Sequence, residues 1–200
     1  MRKIIGLVGL IGSGKGTAGE YLIKEHGFAS ASFASTLKDA VSAVFGWPRD
    51  LLEGHTASSR EWREIPDRYW SSKLGKTVTP RWVLQYIGTD VMRNHFSDNI
   101  WILSLEKTLS SSDTDVVITD VRFPNEIEMI KNLGGKLVWV RRNPEPQWIE
   151  TAMTNKDLLR TDTRIHPSEY EWIGVHDYTV LWNDETLESF YQKIDRVITE

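Results

Sequence analysis

The sequence predicts a three-layer α/β fold with a mostly parallel central sheet. Short apolar runs alternate along the chain with stretches of helical periodicity, which is the order of a parallel sheet covered by helices. The apolar runs are continuous, as expected for strands that are buried on both faces. A chain of 200 residues is long enough for one domain with a sizeable core.

The first part of the chain predicts a strand, a glycine-rich turn and a helix. Residues 3–9 form an apolar run bounded by glycines, residues 9–17 form the turn, and residues 17–26 carry apolar side chains at helical spacing. A short strand over residues 28–33 and a helix over residues 36–45 follow.

The second half of the chain repeats this alternation. Thr79 and Pro80 suit the N-cap and the first position of a helix that runs to about residue 96. The other predicted elements are a helix over 100–109, strands over 116–120, 136–140 and 178–182, and helices that begin near residues 124 and 185.

Two segments lack the periodicity of core elements. Residues 47–81 combine tryptophans with basic side chains and predict an insertion of short helices. Residues 143–172 are polar, contain three prolines and predict a mobile segment. Because no linker divides the chain, we expect a single domain over residues 1–200 that carries both segments.

Composition and charge exclude several classes of protein. The chain has no cysteine, so it has no disulfide framework, thiolate metal site or cysteine nucleophile. It has no apolar run of membrane-spanning length and no signal-peptide pattern, so we expect a cytoplasmic protein without a membrane partner. With 24 basic and 28 acidic side chains the net charge is −4, which argues against nucleic acid as a partner.

Nine tryptophans are many for a chain of this length. Trp82, Trp101 and Trp139 lie in apolar helix or strand contexts and are predicted to be core residues. An exposed share of the other tryptophans would suit the surface of a homodimer.

The glycine-rich turn at residues 9–17 predicts a phosphate-binding loop. It fits the Walker A spacing up to Lys15, but its hydroxyl group comes one residue late, at Thr17 after Gly16. Glycines let the backbone N–H groups turn toward one point, and the following helix adds the positive end of its dipole. The alternative is a glycine-rich turn with a surface lysine, but its place between a strand and a helix favours nucleotide binding.

Asp120 ends the predicted strand over residues 116–120, and Arg122 follows two residues later. The carboxyl end of a parallel strand faces the ligand crevice, where Asp120 can orient the waters of Mg²⁺ or accept hydrogen bonds from a substrate. Arg122 can clamp a phosphate through two hydrogen bonds. The alternative is structural: Asp120 caps the next helix and pairs with Arg122.

Residues suited to an acceptor nucleotide lie earlier in the chain. Lys38 and Asp39 stand near the start of the helix over residues 36–45, and arginines interleave with aromatic rings over residues 60–70. Arginine can bind a monophosphate, and an aromatic ring can stack on a base. The alternative is a solvated basic helix whose tryptophans fill a satellite core.

Cationic residues in the later polar segment suit a lid. Arg141 and Arg142 end a predicted strand, and Lys156, Arg160, Arg164 and His166 follow. A cationic segment that closes over a migrating phosphoryl group supplies positive charge and excludes water. The alternative is a charged surface loop. His166 has no spaced partners, so it is not expected to bind a metal.

Taken together, the motifs resemble those of the bacteriophage-type deoxynucleoside monophosphate kinases, a branch of the P-loop kinases. The resemblance covers most of the chain and begins with Gly-Ser-Gly-Lys-Gly-Thr at residues 12–17. It continues, in order, with Phe33-Ala34-x-x-Leu37-Lys38-Asp39-Ala40, Ser59-Arg60-Glu61-Trp62-Arg63, Thr79-Pro80-Arg81-Trp82-x-Leu84-Gln85, Thr119-Asp120-Val121-Arg122-Phe123-Pro124-Asn125-Glu126, Arg141-Arg142 and His166-x-Ser168-Glu169.

The resemblance implies a three-layer P-loop kinase fold, with an acceptor-binding insertion at about residues 47–81 and a lid-like segment at residues 143–172. It implies that the γ-phosphoryl group of ATP, with Mg²⁺, passes to a deoxynucleoside monophosphate to give the diphosphate and ADP. Gly16 stands where some relatives have an acidic residue, which puts the handling of the metal in question.

Together with the arguments from the residues, the resemblance assigns roles within the site. The expected catalytic residues are Lys15, Asp120, Arg122 and Arg142. The expected ATP-binding residues are Gly12, Ser13, Gly14, Lys15, Gly16, Thr17 and Arg141. The expected acceptor-binding residues are Lys38, Asp39, Arg60, Trp62, Arg68, Trp70, Arg122 and Glu126. Thr17 is expected to hold Mg²⁺, with Asp120 acting through water.

Two other functions stay open at this level. One is a kinase for another small acceptor, such as dephospho-coenzyme A or phosphomevalonate, although the aromatic acceptor region favours a base. The other is a nucleotide-binding module without turnover, although an arginine-rich lid is more than binding requires. Phosphoryl transfer needs positioning and charge neutralisation, so we expect neither a covalent intermediate nor a dedicated general base.

Overall fold

The computed structural model describes residues 2–162 and 164–199 and confirms the predicted α/β fold with a parallel sheet. Close backbone contacts divide the chain into two compact units. The first unit comprises the residues up to Ser32 and those from Thr108 onward. The second unit comprises residues Phe33–Lys107.

The first unit is built on a five-stranded sheet. Its strands are β1 (Ile4–Val8), β2 (Ala29–Ala31), β3 (Val116–Ile118), β4 (Lys136–Arg141) and β5 (Thr179–Trp182). They lie in the order β2-β3-β1-β4-β5, and every neighbouring pair is parallel. All five strands predicted from the sequence are therefore present.

Helices occupy most of the remaining chain. In chain order they are α1 (Lys15–His26), α2 (Ser35–Phe45), α3 (Arg49–Glu53), α4 (Ala57–Trp62), α5 (Arg68–Leu74), α6 (Pro80–Gln85), a π-helical segment (Tyr86–Phe96), α7 (Ile100–Ser110), α8 (Pro124–Asn132), α9 (Trp148–Thr154), α10 (Asp157–Arg160), α11 (Pro167–Tyr170) and α12 (Leu187–Thr199).

The sheet of the first unit is covered on both faces. Leu7 of β1 points into a core that it shares with Leu22 of α1 and Ile194 of α12. Gly6 faces the opposite way, because successive strand residues alternate between the two faces. A Cβ atom at Gly6 would lie 2.7 Å from Cδ1 of Ile130 in α8, so α8 packs closely on the second face. The predicted three-layer arrangement is confirmed.

The segment over residues 143–172 contains three short helices, α9, α10 and α11, where the sequence predicted a mobile segment. They are held by apolar side chains that are almost inaccessible to water. These side chains belong to Ile149, Ala152, Leu159, Tyr170 and Trp172. Thr163, which also falls within the expected lid, lies outside the described residues.

The second unit is helical over most of its length. Thr79 accepts a hydrogen bond from the backbone N–H of Trp82, and Pro80 occupies the first turn of α6, which confirms the predicted helix start. The predicted helix to residue 96 changes character after Gln85, because the π-helical segment begins at Tyr86.

One predicted core tryptophan is not in the core. Trp101 and Trp139 are buried as predicted, but Trp82 is only partly buried. The ring of Trp82 stacks on Tyr86 at 5.1 Å between centroids, while Val83, the next residue along α6, takes the buried position. Across the described part of the chain, no helix is long and apolar enough to span a membrane.

Candidate active site

Several predicted site residues of the first unit follow the carboxyl ends of its strands. The glycine-rich loop follows β1, Asp120 follows β3, and Arg142 follows β4. Because all five strands are parallel, these ends share one edge of the sheet, which is where open α/β sheets bind their ligands.

The loop after β1 is shaped for a phosphate group. Gly9, Gly12 and Gly14 have φ values of 144°, 80° and 109°, which residues other than glycine rarely adopt. α1 begins directly after this loop with no side-chain cap and no acidic residue in its first turn. Its first N–H groups and its dipole are therefore available to an anion.

Lys15 lies over this loop. Its Nζ atom donates hydrogen bonds to the carbonyl oxygens of Gly9, at 2.5 Å, and Leu10, at 2.8 Å. Burial, followed by the nearby charge of Arg122, lowers the pKa of Lys15 to about 8, while Glu169 acts in the opposite direction. The ammonium group thus lies in an environment that disfavours its charge and that an added anion would relieve.

Ser13 provides a second sign that this loop suits an anion. Its side chain is buried, and its Oγ atom has no hydrogen-bond partner among the described residues. Buried hydroxyl groups normally have a partner, so an oxygen atom of a bound phosphate would complete this site.

Asn183 is a site residue that the sequence analysis missed. Its Nδ2 atom donates to the carbonyl oxygen of Ser13 at 3.0 Å, and its backbone N–H donates to the carbonyl oxygen of Arg141 at 2.8 Å. A residue at the end of β5 therefore supports the phosphate loop. Its only sequence signal is its position at the end of a predicted strand.

Arg122 is held by a carboxylate that the sequence analysis did not assign to the site. Its Nη1 atom lies 2.7 Å from Oε1 of Glu169 and 3.4 Å from the Oγ atom of Ser168. Glu169 was noted only as part of a motif of the resemblance. Because both Arg122 and Glu169 shift the pKa of Lys15, the fold brings these three side chains into one electrostatic group.

Glu126 has a structural position at the start of α8. Its side chain is buried, and its carboxylate accepts hydrogen bonds from the backbone N–H groups of Arg122, at 2.8 Å, and Phe123, at 3.1 Å. It thereby fixes the turn that carries Arg122.

The two arginines at the end of β4 have different surroundings. The guanidinium of Arg141 lies 4.3 Å from the ring centre of Trp139 and 4.5 Å from that of Trp182, and it pairs with Glu145. Arg142 lines a cavity of about 400 Å³ beside the phosphate loop. Other residues lining this cavity are Leu10, Ile11, Gly12, Ser13, Trp148 and Glu169.

Oxygen ligands suited to Mg²⁺ are present in the first unit. Thr17 lies in the first turn of α1, and Asp120 accepts a hydrogen bond from the hydroxyl group of Ser32 at 2.7 Å. The described residues contain no cluster of three or more acidic, histidine or cysteine side chains able to hold a metal. This donor set fits Mg²⁺, which keeps several waters and takes other ligands from phosphates and one or two side chains.

Lys38 and Asp39, in the second unit, belong to a network of ion pairs. Lys38 Nζ lies 2.6 Å from Oε2 of Glu53, and Arg49 Nε lies 2.5 Å from Oδ1 of Asp39. Burial alone would raise the pKa of Glu53, but hydrogen bonds from Lys38 and Arg49 outweigh it and lower that pKa. Glu53, which the sequence analysis missed, therefore stays ionised and holds both cations.

The predicted stacking residues Trp62 and Trp70 lie in an aromatic cluster with Phe45 and Trp47. The ring centres of Trp47 and Trp62 are 6.2 Å apart, and those of Phe45 and Trp70 are 4.9 Å apart. Both Trp62 and Trp70 remain partly exposed. These ring contacts form a small aromatic core, as the alternative interpretation of the tryptophans predicted. Part of Trp62 and of Trp70 nevertheless stays accessible to solvent.

The predicted arginines of this region are solvent-exposed. Arg60 donates to the carbonyl oxygen of His55 at 2.9 Å, and Arg68 begins α5.

His166, in the first unit, forms a hydrogen bond with the hydroxyl group of Ser168 at 2.8 Å and accepts one from the backbone N–H of Ser168. It thus caps the start of α11.

Comparisons with known proteins agree on one family. Residues 50–194 match the family described as deoxynucleotide monophosphate kinase. A putative deoxynucleotide monophosphate kinase of Acanthamoeba polyphaga mimivirus is 36% identical over 207 residues, which cover 96% of this chain and 93% of that protein. A deoxynucleoside-5'-monophosphate kinase of Escherichia phage T5 is 46% identical over 55 residues, which cover 27% of this chain and 22% of that protein.

Similar solved structures include a dephospho-CoA kinase from Campylobacter jejuni, with a TM-score of 0.49, 16% identity, and coverage of 100% of this chain and 97% of that one. A shikimate kinase from Acinetobacter baumannii has a TM-score of 0.45, 17% identity, and coverage of 100% and 94%. The phosphate loop and parallel sheet described above place the chain in the P-loop class of kinases. Within that class, it belongs to the deoxynucleotide monophosphate kinase family.

Proposed function

We propose that this chain transfers the γ-phosphoryl group of ATP to a deoxynucleoside monophosphate, which yields ADP and the diphosphate. The observation that carries the proposal is the phosphate loop at the uncapped start of α1, in a chain of this family. The orphaned hydroxyl of Ser13 and the destabilised charge of Lys15 support an anionic ligand at this loop.

The donor nucleotide binds at residues 12–17. Backbone N–H groups of the loop and of the first turn of α1 donate hydrogen bonds to the phosphate oxygens, and Ser13 adds its hydroxyl. Lys15 exchanges its two carbonyl partners for phosphate oxygens. Arg141, held between two indoles, is assigned to the same ligand.

The transfer step relies on charge and positioning. Lys15, Arg122 and Arg142 neutralise the charge that develops on the migrating phosphoryl group, which is the main contribution that proteins make to this reaction. The attacking monophosphate oxygen is ionised near neutral pH, so no side chain is needed to remove a proton. No covalent intermediate is formed on the chain.

Mg²⁺ would be held by Thr17 directly and by Asp120 through water. When bound, the ion supplies positive charge to the donor phosphates. Ser32 orients the carboxylate of Asp120 through its hydrogen bond.

The acceptor is assigned to the second unit, with residues 47–81 as its binding insertion. Ion pairs with Glu53 and Arg49 order Lys38 and Asp39, and the partly exposed rings of Trp62 and Trp70 offer edges or faces to a base. Arg60 and Arg68 add exposed positive charge. Residues 143–172 are assigned to a lid over the migrating phosphoryl group. The protein is assigned to the cytoplasm, which is the host cytoplasm if a phage encodes it.

An acceptor panel tests this function. ADP release is measured with ATP, Mg²⁺ and each of dAMP, dGMP, dCMP and dTMP, together with their ribose counterparts and dephospho-coenzyme A. We expect release that depends on a deoxynucleoside monophosphate. If the protein binds ATP but releases no ADP with any of the nucleotides, the result would contradict the proposal and favour another small acceptor or a module without turnover.

Replacing the loop lysine provides the matching variant. Lys15→Ala should lower turnover by at least about a hundredfold, because it removes a cation that stabilises the transition state. Lys24→Ala is the control, since Lys24 is an exposed lysine of the same helix. Circular dichroism should show both variants folded. Wild-type turnover in folded Lys15→Ala would reject the assignment of the loop.

A further inference from the structure

Arg63 in the second unit has a guanidinium with no side-chain partner among the described residues. Its side chain is half-buried, and its Nε atom is fully buried without a hydrogen-bond partner among residues 2–162 and 164–199. Within the same residues its guanidinium forms no ion pair with a carboxylate. Burying a cation without an anion is costly, so native structures normally pair such groups.

The surroundings of Arg63 make the lack of a partner more marked. Burial first, and then the charges of Arg81 and Arg60, lower the pKa of Arg63, against the opposing effect of Glu64 and Glu53. These two carboxylates are already engaged by other cations. Arg81 pairs with Glu64, and Lys38 and Arg49 pair with Glu53.

The charges in this part of the second unit do not balance. Residues 38–81 carry eight basic side chains and six acidic ones. The excess of two positive charges equals the charge of a phosphate monoester above its second pKa, which lies near neutrality.

Gly54 provides the room for the guanidinium of Arg63. The backbone of Gly54 has a φ of 70° at the end of α3, and a Cβ atom there would overlap the guanidinium. Arg60, one helical turn before Arg63, donates to the carbonyl oxygen of His55, the residue after Gly54. The two arginines therefore gather at one turn of the chain.

We propose that Arg63 is the anchor for the phosphate group of the acceptor, with Arg60 and Arg81 as supporting cations. The inference rests on the proposed function and gives a specific role to Arg63, which lies in a motif of the resemblance but is not among the expected acceptor-binding residues. A planar guanidinium with free N–H groups can bind two oxygens of a phosphate monoester at once, which a lysine cannot do.

Steady-state kinetics with the preferred deoxynucleoside monophosphate test the anchor. Arg63→Ala should raise the KM for the acceptor by roughly ten- to a hundredfold, as expected when a hydrogen bond to a charged group is lost, and leave the KM for ATP unchanged. Arg63→Lys should have an intermediate effect, because it keeps the charge and loses the planar fork. Lys73→Ala, which removes an exposed cation of the same unit, is the control and should match the wild type.

A binding experiment separates the phosphate from the base. Calorimetry compares the deoxynucleoside monophosphate with its unphosphorylated deoxynucleoside, for the wild type and for Arg63→Ala. The ratio of the affinity for the monophosphate to the affinity for the deoxynucleoside should be about tenfold or more smaller in Arg63→Ala than in the wild type. The affinity for the deoxynucleoside itself should stay the same. Equal factors in the two proteins would overturn the assignment of Arg63.

These outcomes distinguish the anchor from the proposed function. If the wild type phosphorylates the acceptor and folded Arg63→Ala has the same KM for it, the role of Arg63 is rejected and the proposed function stands. A wild type that binds the monophosphate through Arg63 but releases no ADP rejects the proposed function alone. If thermal unfolding shows that Arg63→Ala does not fold, Arg63→Lys carries the test, and a KM equal to that of the wild type contradicts the anchor.

Discussion

At the scale of single residues, the ionisation of Lys15 links the phosphate loop to the segment over residues 143–172. Burial and Arg122 lower the pKa of Lys15 to about 8, and the carboxylate of Glu169 limits this effect. Glu169 also pairs with Arg122 at 2.7 Å. A single carboxylate on α11 therefore acts on two of the cations that are assigned to phosphates.

The pH dependence of ATP binding should follow from this arrangement. Affinity in the wild type should fall as the pH rises through about 8, because a neutral lysine no longer attracts phosphate. Glu169→Gln removes a charge that raises the pKa of Lys15, so the loss of affinity should begin at a lower pH. Calorimetric titrations between pH 6 and pH 10, roughly the range that brackets this pKa, measure the shift.

Glu150→Gln is the matched control for this prediction. Glu150 is an exposed residue of α9 in the same segment. Its variant should reproduce the wild-type curve. A curve for Glu169→Gln that coincides with the other two would show that the carboxylate does not act on Lys15.

At the scale of the element, the start of α8 explains how the turn after β3 is held. The carboxylate of Glu126 accepts hydrogen bonds from two backbone N–H groups that the helix itself cannot satisfy. Glu126 was expected among the acceptor-binding residues, and the structure gives it a role in the conformation of Arg122. A stability measurement can separate the two roles.

Glu126→Ala should lower the free energy of unfolding by about 1–3 kcal/mol, because it removes the carboxylate that accepts hydrogen bonds from two partly buried backbone N–H groups. Urea denaturation measures this change. Glu128→Ala, at an exposed position of the same helix, should change stability by less than about 0.5 kcal/mol. Equal stability of the two variants, with a raised acceptor KM for Glu126→Ala alone, would favour a binding role.

At the scale of the whole molecule, the sheet depends on close contact between its layers. A Cβ atom built on Gly6 of β1 would lie 2.7–3.4 Å from side-chain atoms of Ile130, Leu137 and Val121. The absence of a side chain lets α8 approach the second face of the sheet. The opposite face is filled by the large apolar side chains of α1 and α12.

Gly6→Val should therefore destabilise the protein by about 1–3 kcal/mol through overpacking, even though valine favours strands. Thermal or urea unfolding measures the loss. Ser30→Val, at an exposed position of β2, introduces the same side chain without crowding and is the control. A stabilising effect of Gly6→Val would show that the layers have room to separate.

Local patterns account for much of what was predicted. The phosphate loop is contiguous in sequence, so Gly9, Lys15 and Thr17 could be located by their spacing alone. Continuous apolar runs marked β1, β3 and β4, because strands buried on both faces need apolar side chains at nearly every position. Thr79 and Pro80 marked the start of α6 by capping interactions that reach only three residues along the chain.

The sequence by itself thus determined the class of fold, the position of the glycine-rich loop and the family resemblance, because each depends on residues that are close in the chain or on motifs read in order. Only the tertiary structure decided the partners that surround these motifs. Glu169 reaches Arg122 across 47 positions, and Asn183 reaches Ser13 across 170. The unpaired guanidinium of Arg63 likewise appears only after folding, because folding sets which carboxylates other cations engage and which charge is left without a partner.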